Sequence, residues 1–231
     1  MNKKKLRGIV LICARSGSQR LKNKNLRNIR KIPLIGWSIK AAKKLSMVEK
    51  IIVSSDSKKI LKIAEKYGAE TPFIRPKNLA NSRSNEFLVW KHALDQIYKI
   101  YKFHPDFVIS LPPTCPTRSV KDIENAYKLY KKNNFKTVIS ICESYRSPYF
   151  NIVKLNKSKS VNLFSNGSSY HRSQDVPKTY DITTAFYIAN AKFILKSENI
   201  FSGKVGGYIV NKINGIDIDD ELDFKLSKIV L

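Results

Sequence analysis

Short, unbroken runs of apolar residues recur along the chain and alternate with segments of helical character. These runs cover 8–14, 50–55, 107–111 and 137–142. A strand that is buried on both faces of a parallel sheet has such an unbroken apolar sequence, whereas a strand with one face in solvent alternates apolar and polar residues. The alternation of strands and helices predicts an α/β protein with a Rossmann-like, mostly parallel sheet and helices on both faces.

Residues typical of helix ends mark the segments between the strands. Helices are predicted over 33–44, 57–67, 84–101 and 119–133, with a last helix from Glu221. Asp56 or Ser57 can cap the second helix, which Gly68 ends, and Ser119 can cap the fourth. A further short strand is predicted over 72–74.

The regular alternation ends after Glu143. Residues 144–182 are rich in Ser, Asn, Tyr and Pro, and the alternating pattern of 152–155 is typical of the start of a β-hairpin. Aromatic side chains on such a projection need a partner to bury them, which predicts a dimerisation arm or a lid. Since the sequence shows no internal repeat and no interdomain linker, we expect residues 1–231 to form a single domain.

The charge of the chain suggests an anionic partner. The sequence has 43 Lys and Arg against 18 Asp and Glu, which gives a net charge of +25. A dedicated nucleic-acid-binding protein would need an aromatic platform or a recognition helix, and we identify neither, so small anionic substrates are favoured over nucleic acid. No apolar run approaches the ~20 residues of a membrane span, and we therefore expect a cytoplasmic protein without a membrane partner.

A long basic loop follows the first predicted strand. Arg15, Arg20, Lys22 and Lys24 lie in it together with Gly17, whose small size lets backbone amides approach an anion. The loop has neither the P-loop pattern nor the dinucleotide-binding fingerprint. Its composition predicts a site for a triphosphate, and the alternative is a basic loop that is merely solvated.

Two carboxylates close to the C-terminal end of the sequence form a second chemical feature. Asp217 and Asp219 alternate with Ile216 and Ile218, so an extended backbone would direct both acids to one side. Oxygen ligands at this spacing suit Mg²⁺, which takes one or two carboxylates together with substrate phosphates. The alternative is that the acids around Asp219 cap the helix that follows.

Several short motifs then occur in a fixed order along the chain. They are Ala14-Arg15-x-Gly17-Ser18 with Leu21-x-x-Lys24-Asn25, Lys31-Ile32-Pro33-Leu34-Ile35, Val53-Ser54-Ser55-Asp56, Arg75-Pro76-x-x-Leu79-Ala80, Leu111-x-Pro113-Thr114-x-Pro116-x-Arg118 and Ile216-Asp217-Ile218-Asp219-x-Glu221-Leu222-Asp223. In this order they resemble the acylneuraminate cytidylyltransferases, the enzymes that activate nine-carbon keto-sugar acids. The resemblance covers nearly the whole chain.

The resemblance implies a reaction and its substrates. The anomeric hydroxyl of a 2-keto-3-deoxy sugar acid, such as a nonulosonate, attacks the α-phosphate of CTP and releases pyrophosphate. It further implies Mg²⁺ as cofactor, a homodimer formed through the arm, and a CMP-sugar destined for lipopolysaccharide or capsule. Two alternatives remain: a 3-deoxy-manno-octulosonate cytidylyltransferase, and a nucleotide-sugar glycosyltransferase, which would carry its Asp-x-Asp motif nearer the middle of the chain.

The resemblance also assigns roles to individual residues. Arg15 and Lys24 are the expected catalytic residues. The expected nucleotide-binding residues are Ala14, Arg15, Ser18, Lys24, Asn25, Arg75, Asn81 and Ser84. The expected sugar-binding residues are Arg172, Gln174 and Tyr187, and the expected metal ligands are Asp217 and Asp219.

The chain departs from the family pattern mainly on the sugar side. Pro112 stands where the sialic-acid enzymes have a glutamine, and Thr183 and Thr184 stand in place of an Asn-Gly pair. Ser173 replaces the second of two arginines. Because the glutamine binds the sugar in the relatives, Pro112 argues against sialic acid itself as the substrate, whereas we expect cytidyl transfer to be retained.

Overall fold

The computed structural model of the protein describes residues 6–81, 84–165 and 172–231. The strands are β1 (Gly8–Cys13), β2 (Asn28–Ile29), β3 (Ile32–Pro33), β4 (Val48–Ser54), β5 (Phe107–Ser110), β6 (Thr137–Glu143), β7 (Val153–Leu155), β8 (Val161–Leu163), β9 (Tyr180–Asn190) and β10 (Val205–Ile209). The helices are α1 (Leu34–Ala42), α2 (Lys58–Lys66), α3 (Glu86–Tyr101), α4 (Val120–Lys132), α5 (Ala191–Lys196) and α6 (Glu221–Val230). The predicted α/β class is confirmed.

Six strands form the central sheet in the order β10, β6, β9, β5, β1, β4. β1 pairs in parallel with both β4 and β5, and β10 pairs in parallel with β6. β9 runs antiparallel to both of its neighbours, β5 and β6. The prediction of a mostly parallel sheet is therefore confirmed, with one reversed strand inside it.

Helices cover both faces of the sheet, as the unbroken apolar strands predict. Val10 and Ile12 of β1 pack on one face with side chains of α1, α2 and α4, whereas Ile9 and Leu11 pack on the other face with α3 and α5. All four side chains are fully buried. Successive residues of a strand point to opposite faces, so both sets must be apolar.

The predicted strand over 72–74 is wrong. Glu70, just before it, makes a single parallel bridge to Ile52, and the pairing ends there. Pro72 has no N–H group to donate to a sheet, which accounts for the end of the ladder. Phe73 is nevertheless buried against the α3 side of the sheet, so its apolar character reflects packing and not strand structure.

The predicted hairpin in the arm is confirmed. β7 and β8 form a separate two-stranded antiparallel sheet in which Val153 pairs with Leu163. The arm exposes large apolar side chains, including Leu155 at 72% and Phe164 at 54%. Residues 166–171, which belong to the predicted arm, and residues 1–5 lie outside the described residues. Among the described residues, no helix combines the length and apolar character that a bilayer crossing needs.

Candidate active site

A cleft of about 550 Å³ opens beyond the carboxyl ends of β1 and β5. Nine of the residues predicted for the site line it: Arg15, Ser18, Lys24, Asn25, Arg75, Asn81, Ser84, Asp217 and Asp219. Ligands of open α/β sheets bind at this edge, where the strands end. The structure thus brings the basic loop and the late carboxylates to one place.

The basic loop and the C-terminal carboxylates are joined by direct ion pairs. The Nζ of Lys24 lies 3.1 Å from Oδ1 of Asp219 and donates to the carbonyl of Ile218 at 2.7 Å. Arg20 lies 2.7 Å from Oδ2 of the same carboxylate. Lys24 is the better buried of the two cations, with 13% of its side chain exposed against 69% for Arg20. The Lys24 contact is therefore the less screened by solvent.

Two hydrogen-bonded contacts fix the shape of the basic loop. Ser16 donates from its backbone N–H and its hydroxyl to the two oxygens of Asp56, at 2.8 and 2.5 Å. Partial burial acts to raise the pKa of Asp56. The hydrogen bonds from Ser16, together with the backbone N–H of Asp56 and the charge of Arg75, outweigh it, and the pKa lies below its ordinary value. Buried Asn25 donates to the carbonyl of Arg15 at 2.9 Å. These contacts hold the loop over the end of β1.

A buried guanidinium supports the proline-rich wall of the cleft. Arg118 donates to the carbonyl of Ala185 and to the hydroxyl of Ser38, each at 2.6 Å, and also to the carbonyl of Pro112. Burial lowers the pKa of Arg118 to about 10. Because these contacts reach α1, β9 and the proline loop together, Arg118 fixes the position of Pro112 in the cleft wall.

The segment that carries the two acids is tied to the same wall. The backbone N–H of Ile218 donates to the carbonyl of Thr114 at 2.8 Å. The hydroxyl of Thr184 donates to Oδ1 of Asp217 at 2.9 Å, and Thr114 donates to Thr184 at 3.3 Å. The fully buried side chain of Ile218 anchors the segment between its two acids.

Capping of the last helix is performed by other acids. Asp220 accepts from the backbone N–H groups of Leu222 and Asp223, and the Asp223 carboxylate accepts from those of Asp219 and Asp220. This is a reciprocal capping box. The carboxylates of Asp217 and Asp219 are not used to cap α6, and both line the cleft.

The donor set of the cleft fits Mg²⁺ with substrate phosphates as additional ligands. Asp217 and Asp219 supply hard carboxylate oxygens, and Mg²⁺ in nucleotide sites takes one or two of these beside phosphate and water. Among the described residues, no group of three or more His, Cys, Asp or Glu side chains could hold a metal. A metal site that uses two carboxylates and completes the coordination of the ion with nucleotide phosphates agrees with the pair of acids and with the lack of a third ligand among the described residues.

Arg75 is a buried cation in the lining of the cleft. Its Nη2 donates to the carbonyl of Ser54 at 3.2 Å, while its buried Nε has no hydrogen-bond partner within the described part of the chain. Asn81 and Ser84 both donate to the carbonyl of Asn78, at 2.8 and 3.1 Å, and shape the adjoining loop. An incompletely paired guanidinium is suited to bind an anionic or carbonyl oxygen of a ligand.

Four predicted residues do not line this cleft. Ala14 is fully buried, and its backbone N–H continues the pairing of β1 by donating to Ser54. Arg172 forms an exposed ion pair with Asp175 at 2.9 Å. Gln174 lines a second cavity of about 310 Å³ at the base of the arm. Tyr187 packs on Trp90, with ring centroids 5.8 Å apart.

The cleft also contains residues that the site prediction omitted. Arg20 and Thr184 line it and contact Asp219 and Asp217 respectively. Glu86 lines it as well, at the first position of α3. An acid in the first turn of a helix is common, and the sequence gives no signal that this one faces a ligand site.

Several known proteins with similar sequences are named as cytidylyltransferases or CMP-sugar synthases. The family model described as cytidylyltransferase matches residues 9–209. The chain is 34% identical to a CMP-N,N'-diacetyllegionaminic acid synthase from Campylobacter jejuni, over 95% of this chain and 93% of that protein. It is 36% identical to an N-acylneuraminate cytidylyltransferase from Escherichia coli O18:K1:H7, over 95% of this chain and 51% of that protein.

A solved structure shares the fold over almost its full length. The CMP:2-keto-3-deoxy-manno-octonic acid synthetase, complexed with CTP, superposes with a TM-score of 0.68 at 15% identity. The match covers 97% of this chain and 98% of that one. At this identity the similarity establishes the fold, whereas the family model and the sequence relatives establish the class. The chain belongs to the cytidylyltransferase family and is a nucleotidyltransferase.

Proposed function

We propose that the protein transfers CMP from CTP to the anomeric hydroxyl of a 2-keto-3-deoxy sugar acid of the nonulosonate class, and releases pyrophosphate. The contact of Lys24 with Asp219 carries this proposal, since it joins the loop suited to phosphates with the carboxylates suited to a metal. The names of the relatives support the sugar class, because they include synthases and cytidylyltransferases of diacetyllegionaminic, acylneuraminic and pseudaminic acids.

The cations of the cleft would bind the polyphosphate. Phosphoryl transfer depends on positioning and on neutralising charge, and the leaving pyrophosphate gathers negative charge as the bond to the α-phosphate breaks. Arg15 and Lys24 line the cleft on the side of the basic loop, and Arg20 lies beside them. In the free protein Lys24 and Arg20 contact Asp219, so a bound nucleotide would offer them phosphate oxygens as alternative partners.

Asp217 and Asp219 would hold Mg²⁺. When bound, the ion supplies Lewis-acid stabilisation of charge on the phosphate oxygens. Thr184 orients the carboxylate of Asp217 through its hydrogen bond, and Ile218 fixes the backbone between the acids. Arg75 would contact the cytidine portion, with Asn81 and Ser84 in the adjoining loop.

The arm would join two copies of the chain. Leu155 and Val161 are 72% and 57% exposed, and such apolar side chains favour burial against a partner. We propose a homodimer that covers this surface, with Arg172 and Gln174 near the base of the arm as sugar contacts. We further propose that the reaction takes place in the cytoplasm and supplies a CMP-sugar for lipopolysaccharide or capsule.

A pyrophosphate-release assay tests the proposed reaction. The protein is incubated with CTP, Mg²⁺ and one sugar acid at a time: N,N'-diacetyllegionaminic, pseudaminic, N-acetylneuraminic and 3-deoxy-manno-octulosonic acid. We expect release with at least one of the nonulosonic acids and its loss when Mg²⁺ is chelated. Release with 3-deoxy-manno-octulosonic acid alone would establish the alternative substrate, and release with none of the four would contradict the proposal.

A further inference from the structure

Glu86 is an acid of the cleft for which the reaction outlined above has no use. It lies at the start of α3, beside Ser110 at the end of β5, and shares the cleft lining with Pro112 and Asp217. The residue is exposed, yet desolvation by the surrounding protein raises the pKa of its carboxyl above the ordinary value. The charge of Asp217 acts in the same direction, whereas the hydrogen bonds of Trp90 and Ser110 and the charge of Arg75 oppose it. An acid is unexpected in a cleft for anionic substrates, because its negative charge would repel them.

One oxygen of Glu86 is held and the other is available. Oε1 accepts from the indole Nε1 of Trp90 at 3.2 Å and from the hydroxyl of Ser110 at 3.4 Å. Trp90 is itself 97% buried, with 3% of its surface exposed, so the carboxylate is attached to a rigid group. Among the described residues, both hydrogen bonds to this carboxylate are made to Oε1, and Arg75 acts on it only through its charge, without an ion-pair contact.

Helix capping does not account for this arrangement. Asn85 already caps α3 by accepting from the backbone N–H of Phe87 at 2.9 Å. A carboxylate in the first turn also stabilises a helix through its dipole, but that effect needs no contact with β5. The hydrogen bond from Ser110 instead connects Glu86 to the sheet at the floor of the cleft.

The hydrogen-bond donors of each substrate indicate which of them Glu86 can bind. A carboxylate is an acceptor, and phosphates and the sugar carboxylate offer it no hydrogen, whereas a polyhydroxylated sugar acid offers several O–H or N–H donors. Glu86 also lies near the wall formed by Pro112, a side chain that cannot form a hydrogen bond. Trp90 packs on Tyr187 of β9, a strand that β5 separates from β1, after which the basic loop begins.

We propose that Glu86 is a specificity-determining residue that accepts a hydrogen bond, through Oε2, from a hydroxyl or amide N–H group of the sugar acid. Trp90 and Ser110 are positioning residues that hold Oε1. This inference rests on the proposed function, because it names a contact within the same cleft. The proposed contact of Glu86 would replace a hydrogen bond that the side chain of Pro112 cannot form.

Steady-state kinetics of Glu86→Ala and Glu86→Gln test the inference. The sugar acid that gives the highest rate with the wild-type protein is varied at saturating CTP, and CTP is then varied at saturating sugar. A lost hydrogen bond to a charged acceptor corresponds to roughly 10–100-fold in binding, so we expect KM for the sugar to rise by about that factor in Glu86→Ala and less in Glu86→Gln. KM for CTP should stay within about twofold, since the nucleotide contacts are unchanged.

Controls separate this role from a structural one. Asp95→Asn removes an exposed acid from the same helix and should leave both KM values unchanged. Trp90→Phe removes the donor to Oε1 and should raise KM for the sugar by a smaller factor. Calorimetric titration with CTP checks that each variant is folded, independently of turnover.

The possible outcomes are distinct. An increase in KM for CTP alone would show that Glu86 contacts the nucleotide, and an unchanged KM for the sugar in a folded Glu86→Ala would show a structural role; either result overturns the inference. If the wild-type protein turns over none of the sugar acids, that result contradicts the proposed function. Failure of the Glu86 assignment is recognised differently, because it requires an active wild-type protein whose KM for the sugar does not change in Glu86→Ala.

Discussion

Lys24 and Asp219 are separated by 195 positions in the chain, yet their charged groups lie 3.1 Å apart. The contact joins a loop that follows the first strand to a segment that precedes the last helix. Backbone hydrogen bonds fix the late segment, and contacts with Asp56 and Asn25 fix the loop. The two halves of the site are therefore assembled by the fold before any substrate binds.

Asp219→Asn tests the metal assignment. Loss of one carboxylate charge weakens a site that has few oxygen ligands, so we expect turnover with CTP and the sugar acid to fall by about 100-fold or more. Circular dichroism should show an unchanged fold. Asp220→Ala is the matched control: it removes the cap of α6 and should lower the melting temperature while turnover persists. A fully active Asp219→Asn variant would remove the metal assignment.

Lys24→Met tests the role of the basic loop. A charge-assisted hydrogen bond contributes about 1.5–3 kcal/mol, which corresponds to about 10–100-fold in kcat/KM for CTP. Lys22→Met is a suitable control because Lys22 is an exposed residue of the same loop that is outside the cleft lining. Equal losses in the two variants would indicate a general effect of charge instead of a specific contact. Arg15→Ala should resemble Lys24→Met.

Arg118→Met should destabilise the protein and impair the cleft. The change removes the donor to the buried carbonyl of Ala185, whereas the carbonyl of Pro112 still accepts from the hydroxyl of Ser38 at 3.4 Å. A buried group without a partner costs about 1–3 kcal/mol, so we expect the free energy of unfolding, measured with urea, to fall by about that amount. Arg7→Met, which breaks an exposed pair with Glu49, should change it little. Equal stability of both variants would argue against this role for Arg118.

Asp56 should contribute to the acid limb of the stability profile. Its pKa is lowered in the folded state, so the folded protein binds the proton less tightly than the unfolded chain. The contribution of Asp56 to the free energy of unfolding is fully present at pH values above the ordinary pKa of 3.8, and it is lost as the pH falls through the lower pKa of the folded state. Denaturation at a series of pH values should therefore show a shallower decline in Asp56→Asn than in the wild type. Ser16→Ala should fall between them, and three identical slopes would contradict the assignment.

The arm should determine the oligomeric state. Leu155→Asp places a charge on the most exposed apolar side chain of the hairpin, at 72% exposure, so we expect a proposed dimer to dissociate. Light scattering at micromolar concentration measures the mass, and the wild type should be twice the 26.5 kDa of one chain. Lys157→Asp, in the turn of the same hairpin, provides a control for the added charge. A wild-type monomer would be inconsistent with the proposal.

Much of the fold could be predicted because its signals are local. Unbroken apolar runs identified β1, β4, β5 and β6, and Ser57 and Ser119 cap α2 and α4 as predicted. The direction of β9 could not be predicted, since a buried strand has the same apolar character in either orientation. The short α5 was not predicted either: it is six residues long, too short for a clear periodic pattern.

The residues of the candidate site could be predicted where their type and their order along the chain indicate their chemistry. Arg15, Lys24, Asp217 and Asp219 all line the cleft, as expected from motifs whose chemistry requires charge. Glu86 was not predicted because its place in the cleft lining depends on which way the first turn of α3 faces. That orientation follows from the packing of Trp90 and from the hydrogen bond with Ser110, and both are tertiary contacts.

The reversal of β9 has a consequence for how such an enzyme can diversify. Glu143 at the end of β6 pairs with Tyr180 at the start of β9, so the connection between them leaves and re-enters the sheet at the edge where the cleft opens. A single contiguous stretch of sequence can thus be exchanged, lengthened or shortened while every strand of the sheet keeps its register. Under the proposed assignment of Arg172 and Gln174 to the sugar, changes in this one insertion would alter the choice of sugar and leave the residues that line the cleft in place.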